Sequence, residues 1–470
     1  MQDIKTSDPI TVPEQPIKSV QGATMLGLLV LIYTSNFIDR TILATLGQAI
    51  KEDLQISDSQ LGLLQGLAFA LFYSILGIPL ARLSERVNRV TLISSCLALW
   101  SLMTALCGAA QNFFQLFLIR MGVGIGEAGC TPPAHSLIAD IYKPEQRATA
   151  LGIYSIGIPL GVMLGAVSGG WLTDNFSWRV AMVVVGLPGI LLAIVFKLMV
   201  KEPVRGAADN QPEAMLQTPP SISATFQHLF SNKAFLHITI GATLVAFVGY
   251  GTGTFSQAYF IRMFDLTYTE VGMMFGLIGG LSAGVGTFLG GFLSDWAGKK
   301  HARWYAILPG IGLLLAAPAY MYAFTRNEWL LGVWMMLLPG IFHYAYIGPT
   351  LGVMHNTATA RMRATATALF FFAVNLIGLG LGPWVTGLVI DAFTQWQFSA
   401  SGAVNFIDSC PGGIAAADAS ASMQQQCSSA SALGTRYGIV AMLFVFVWAA
   451  GHYFIAARFL KKSVTEGSSN

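Results

Sequence analysis

Four ionisable residues, Asp39, Arg40, Arg120 and Glu127, lie inside segments otherwise apolar enough to cross a bilayer. A lone charge at mid-membrane costs about 2.5–3.5 kcal/mol on insertion scales, so such residues usually pair or line a watery path. Two acids beside two arginines can do proton chemistry. Burial favours a protonated carboxyl, a neighbouring guanidinium favours the ionised one, and a movement that changes the pairing loads or releases the proton. Arginine keeps its proton, so Asp39 and Glu127 are the candidate proton-coupling groups, while Arg40 and Arg120 set their affinity or hold an anionic substrate. The competing reading is a static ion-pair network that locks the first membrane segment to the fourth.

These residues must be positioned by two antiparallel helices. Arg120 and Glu127 are seven residues apart, about two turns, and share one face of the helix in Phe113–Ile138, with Arg120 the expected partner of Glu127. Asp39 and Arg40 lie well along Ala23–Ile50. At about 1.5 Å per residue, Asp39 and Arg120 reach similar depth, and Glu127 sits about 10 Å further in.

The rest of the chain supplies such helices in number. Of 470 residues, 54% are hydrophobic and only 10% charged, against about 25% charged in a soluble domain; this is the composition of an integral membrane protein. A net charge of +3, scattered along the chain, gives no nucleic-acid partner. Hydrophobic runs at 23–50, 59–83, 90–110, 113–138, 147–172, 178–199, 235–262, 269–293, 303–324, 329–354, 364–392 and 433–460 predict twelve spanning helices and an all-α membrane fold. The polar start, with Asp3, Lys5, Pro13, Glu14 and Lys18, lacks the apolar core of a signal peptide. Even-numbered loops and tails carry most of the basic residues, among them Arg82, Arg86, Arg89, Lys143, Arg147, Lys197, Lys201, Lys299, Lys300, Arg361, Arg363, Lys461 and Lys462. The other side keeps Lys51, Arg179, Arg262, Arg326 and Arg436. The positive-inside rule then places both termini in the cytoplasm of a multi-pass protein, with a bacterial inner membrane the expected location.

The polar stretch 201–233 divides the helices six and six, giving 1–200 and 234–470 as the halves and a linker between them. A repeat supports that division. Arg147-Ala148-Thr149-Ala150 opens helix five and Arg363-Ala364-Thr365-Ala366 opens helix eleven, and the glycine-rich helices that follow end in Asp174 and Asp391. The loop Ala81-Arg82-Leu83-Ser84-Glu85-Arg86-Val87-Asn88-Arg89 matches Gly291-Phe292-Leu293-Ser294-Asp295-Trp296-Ala297-Gly298-Lys299-Lys300. Two pseudo-symmetric six-helix bundles facing a central cavity form a transporter architecture.

The second of those loops resembles the Gly-x-Leu-x-Asp-x-x-Gly-basic-basic signature of the major facilitator superfamily, and the first is a degenerate copy with Glu85 for the acid. Asn36-Phe37-Ile38-Asp39-Arg40, with Arg120-Met121-Gly122-Val123-Gly124-Ile125-Gly126-Glu127-Ala128, is similar to the Spinster family of lipid transporters. The match rests mainly on residues 33–170. The resemblance implies proton-coupled transport by alternating access, the roles given above for Asp39, Arg40, Arg120 and Glu127, and a gating latch at Glu85, Arg86 and Asp295 that closes the cytoplasmic side in the outward-facing state. The plainer reading of those three residues is a solvated, inside-positive loop.

Tyr33, Asn36, Tyr250, Gln257, His343 and Asn375 are candidate substrate contacts, although each taken alone reads more readily as an interhelical hydrogen-bonding group. His343 also qualifies as a second proton site. Phe370, Phe371 and Phe372 read either as a wall for an apolar tail or as lipid-facing surface. Gly124, Gly126 and Gly129 spell Gly-x-Gly-x-x-Gly without a preceding strand; they serve close helix approach rather than a dinucleotide. Cys410 and Cys427 fall in the outer stretch Thr394–Leu433, where an oxidising compartment permits a disulfide. No metal-ligand spacing and no phosphate loop occurs, so no metal or cofactor is expected, and transport must draw on a gradient. By resemblance the expected substrate is an amphipathic lipid, a lysophospholipid or sphingoid phosphate, moved with protons by a monomer in the membrane lipid. Small organic anions or drugs are the alternative, and a transport-dead receptor or scaffold is a further one.

Overall fold

The computed structural model describes residues 19–205, 222–357, 363–400 and 405–460. The amino tail, the linker stretch 206–221, and Arg361, Lys461 and Lys462 of the charge-bias argument lie outside the described residues. Among those described, twelve helices are long and apolar enough to cross a membrane. They are α1 Gln21–Leu54, α2 Asp58–Ser84, α3 Arg89–Cys107, α4 Phe113–Ile141, α5 Thr149–Asn175, α6 Trp178–Met199, α7 Lys233–Phe264, α8 Tyr268–Gly298, α9 Trp304–Phe324, α10 Trp329–Met354, α11 Thr365–Ala400 and α12 Ala421–Phe459. Twelve spans place residues 19 and 460 at one end, the terminus end; the opposite one is the far end.

The expected runs agree with these helices except after helix eleven. Most of Thr394–Leu433, expected as a loop, is helical: α11 continues to Ala400 and α12 begins at Ala421. The Ser420 side chain accepts a hydrogen bond from Met423 N, and Ala, Met and Gln are good helix formers. Hydropathy marks apolar stretches, and roughly the first three turns of α12 are polar. Cys427 therefore stands on α12, where it is bonded to Cys410.

In lipid, helices associate through small residues that let backbones touch. A Cβ placed on Gly124 would lie 2.4 Å from Phe69 O of α2, and one on Gly126 would lie 2.7 Å from Trp100 N of α3, so α4 is wedged between those helices. Glu202 accepts from Arg89 Nε at 2.6 Å, and Arg205 donates to Ser84 O, which ties the start of the linker to the first half. A short helix, Ile222–Ser231, buries Leu229 with Phe235 and Phe370 of the second.

The halves meet most intimately at the far end. Both α2 and α8 begin with a capping box, Ser57 with Gln60 and Thr267 with Glu270. The first backbone N–H groups of each are then taken by an acid from the other half. Asp391 of α11 accepts from Asp58 N at 3.0 Å and Ser59 N at 2.9 Å; Asp174 of α5 accepts from Tyr268 N at 3.1 Å and Thr269 N at 2.7 Å. Each carboxylate satisfies orphan donors and faces the positive end of a helix dipole. Beside them Asp58 binds Lys51 and, across the seam, Arg262, both at 2.6 Å, and all three side chains are buried. Arg262 Nε also donates to Gln48 Oε1 at 2.6 Å. A Cβ on Gly62 would lie 2.2 Å from Pro383 O, and one on Gly272 2.2 Å from Ala166 O, so this end is closed.

The terminus end is different. Glu85 and Arg86 are exposed, and Asp295 accepts from Tyr305 OH of its own half at 2.7 Å. Among the described residues, none of the three makes an ion pair across the seam.

Candidate functional site

The wedge of α4 brings Glu127 to Arg40 of α1. Arg40 Nε lies 2.8 Å from Glu127 Oε2, and the Glu127 side chain is fully buried while Arg40 keeps 23% of its surface exposed. Aromatic rings surround the guanidinium: Phe37 at 5.4 Å, Phe69 at 5.0 Å and Tyr73 at 4.7 Å from Cζ. Arg120 Cζ stands 5.6 Å from the same Phe69 ring. The expected partnership of Arg120 with Glu127 is thus corrected. Two helical turns put both on one face but leave about 10 Å of rise between them, so the arginine across the helix interface takes the carboxylate.

Asp39 is buried on α1, facing Trp100 and Thr104 of α3 and within electrostatic reach of Arg120 and Glu127. Asp39 Oδ1, Glu127 Oε1, Arg120 Nε and Asn36 Oδ1 are all buried without a hydrogen-bond partner. Such groups cost free energy unless something satisfies them, and they gather within one neighbourhood. The arrangement can hold a proton at either acid, or an anion against Arg120.

The other candidates divide between this neighbourhood and the second half. Tyr33 stacks on Tyr154 at 4.3 Å, one turn before Phe37. Tyr250 is 43% exposed although it lies in the middle of α7, and Arg40 and Tyr73 are within its electrostatic reach. Gln257 is buried with Oε1 unpartnered. His343 of α10 lines a cavity of about 130 Å³ among α7–α10 and α12, with Ser256, Ser282, Tyr320 and Leu443. Its ring is 6.3 Å from that of Tyr346 and 4.9 Å from that of Phe446. Asn375 lies in a π-helical stretch of α11, Val374–Leu381, a distortion frequent at functional sites. Of the three phenylalanines, Phe370 is packed into the core and Phe371 is 41% exposed.

Several residues escaped the reading of the sequence. Phe69 and Tyr73 look like ordinary apolar membrane residues until Arg40 is seen against them. Lys51 and Arg262 entered only as charges of the other side, and Asp58 not at all. The signal that could have revealed the far-end seam was the repeated Ser/Thr-x-x-Gln/Glu at 57–60 and 267–270, matched with the helix-ending Asp174 and Asp391.

Residues 29–383 match the model of the Major Facilitator Superfamily. A relative in Mycolicibacterium smegmatis, named an MFS-type efflux pump, is 32% identical over 79% of this chain and 85% of its own. Protein spinster homolog 1 of Homo sapiens is 28% identical over 79% of this chain and 73% of its own. The fold superposes with a TM-score of 0.87 on the crystal structure of a bacterial homologue of the human lysosomal transporter Spinster, in an inward-facing and unoccupied conformation. That protein is 37% identical, and the match covers 95% of this chain and 99% of that one.

Proposed function

The chain belongs to the Major Facilitator Superfamily and is a Spinster-like transporter, and from that premise we propose that it couples proton movement to the transport of an amphipathic anionic lipid, of the lysophospholipid or sphingoid phosphate class. The observation that carries the reading is the buried Asp39, Arg40, Arg120 and Glu127 neighbourhood, with one tight pair and four unpartnered polar atoms around it. Asp39 and Glu127 carry the proton, and Arg120 receives the anionic headgroup. Tyr33, Asn36, Tyr250, Gln257 and Asn375 supply polar contacts. The cavity of about 130 Å³ beside His343 offers space for part of an apolar group of the substrate. The basic residues gathered at the terminus end support a cytoplasmic location for that end. With the far end closed and Glu85, Arg86 and Asp295 disengaged, the state is inward-facing; in the outward-facing state those three form the latch.

The test is flux into proteoliposomes under an imposed pH difference, across lysophospholipids, sphingoid phosphates, small organic anions and cationic drugs. Accumulation of the lipids alone supports the reading. The efflux-pump name of the 32% identical relative favours the alternative, and accumulation of small anions or drugs without lipids would establish it.

A further inference from the structure

The segment 405–420, between α11 and α12, belongs to the second half in sequence and rests on the first in space. Its tip, Pro411-Gly412-Gly413, turns through two glycines in the left-handed region, at φ of 69° and 93°. A Cβ on Gly412 would stand 2.9 Å from Lys51 O and 3.2 Å from Glu52 Cα of α1. One on Gly413 would lie 3.5 Å from Lys51 Nζ, the cation bound to Asp58. The tip therefore covers the far end of α1 beside the Lys51, Asp58 and Arg262 cluster. Its root is fixed to the second half, because Cys410 is bonded to Cys427 of α12 and Phe398, Phe406, Ala415 and Ala430 close a small core around that bond. Gln395 Oε1 of α11 adds a bond from Phe406 N at 2.9 Å.

We propose that this disulfide-bonded loop is a strap between the halves that holds the far end closed, so that the Cys410–Cys427 bond biases the balance between the two access states. A segment anchored on one half and pressed against the other must release α1 whenever the far end opens. Cross-linking restricts the freedom of the loop and lowers the entropy lost when its tip seats on α1. Reduction consumes two electrons and two protons from an added dithiol, leaves two thiols, and returns that freedom to the loop. The inference rests on alternating access between two halves but on neither the substrate nor proton coupling.

Hydrogen exchange with mass spectrometry on the full chain in lipid nanodiscs tests it without any transport readout. Treatment with dithiothreitol, and separately the Cys410→Ser/Cys427→Ser variant, is expected to speed exchange at the far-end segments 48–55 of α1 and 259–265 of α7 by about threefold or more. Gly412→Ala, with its disulfide intact, is expected to do the same by pressing a methyl group on Lys51 O. Gly413→Ala carries comparable backbone strain, but its Cβ meets nothing nearer than 3.4 Å, so the seam is expected to stay as in the wild type. Faster exchange confined to residues 405–420, with the seam unchanged, would overturn the proposal. Equal disturbance by Gly413→Ala and Gly412→Ala would also overturn it, since strain within the loop would then account for both.

Discussion

Glu127→Gln separates proton coupling from substrate binding more cleanly than any other single change. The amide keeps the shape of the side chain, retains an oxygen for Arg40 Nε at 2.8 Å, and cannot take up or release a proton. Removing one partner of a fully buried ion pair costs about 3–5 kcal/mol. Arg40 is not fully buried, since it retains 23% exposure, and the amide oxygen keeps a hydrogen bond to it, so the penalty falls below that range. The loss of stability should thus be about 2 kcal/mol, and the variant should fold and insert. Its functional effect should be larger. One proton moved per substrate down a pH difference of about one unit supplies about 1.4 kcal/mol, enough for about tenfold accumulation. In proteoliposomes, wild type should approach that ratio for the transported lipid, and Glu127→Gln should equilibrate near unity. Exchange of labelled for unlabelled substrate at equal pH should continue. If the variant still concentrates substrate about tenfold, Glu127 is a structural partner of Arg40 and the coupling acid lies elsewhere, with Asp39→Asn the next variant to measure.

The same geometry assigns different consequences to the two arginines. Arg120→Ala should weaken substrate binding and exchange at every pH while leaving the Arg40 to Glu127 pair in place, whereas Arg40→Ala should strand Glu127 and shift the pH dependence of transport; equal effects of both on pH dependence and affinity would contradict this division. Arg262→Gln removes charge-assisted bonds from Arg262 to Asp58 and Gln48 across the far-end seam, each worth about 1.5–3 kcal/mol before compensation by Lys51. Distance measurements between labels on the far ends of α1 and α7 should therefore show an added open population, and an unaltered distribution would mean the cluster holds nothing closed. Asp295→Ala and Glu85→Ala should shift distances across the terminus end toward the separated, inward-facing state; no change would reduce both acids to markers of topology.

The sequence made the helices legible because lipid demands long apolar runs, and the duplicated loops at 81–89 and 291–300 carried the two-half architecture. It misled at residues 421–432, where Gln and Ser lower hydropathy while Ala, Met and Gln keep the helix propensity high, and a span read as starting at 433 begins twelve residues earlier. Within the site, the four charged residues were visible because charge is conspicuous in an apolar run. Their pairing was not, since periodicity fixes only which residues share a face. Whether Glu127 meets Arg120 or Arg40 depends on how closely α4 approaches its neighbours, and that is set by Gly124 and Gly126 against Phe69 and Trp100. Phe69 and Tyr73 stayed hidden for a similar reason: an aromatic ring declares a cation partner only once the cation is placed in space.

The matched contacts of Asp391 with the start of α2 and of Asp174 with the start of α8 make the far-end seam self-complementary, as the interface of a two-fold homodimer is. In such an interface any property of the repeating unit is counted twice. Because both halves carry the terminal acid and the capped helix start, the seam holds two clasps rather than one, on opposite sides of the pseudo-two-fold axis. Two clasps on opposite sides resist tilting about either one alone, which favours opening as a rocking of whole halves over the peeling of a single helix pair.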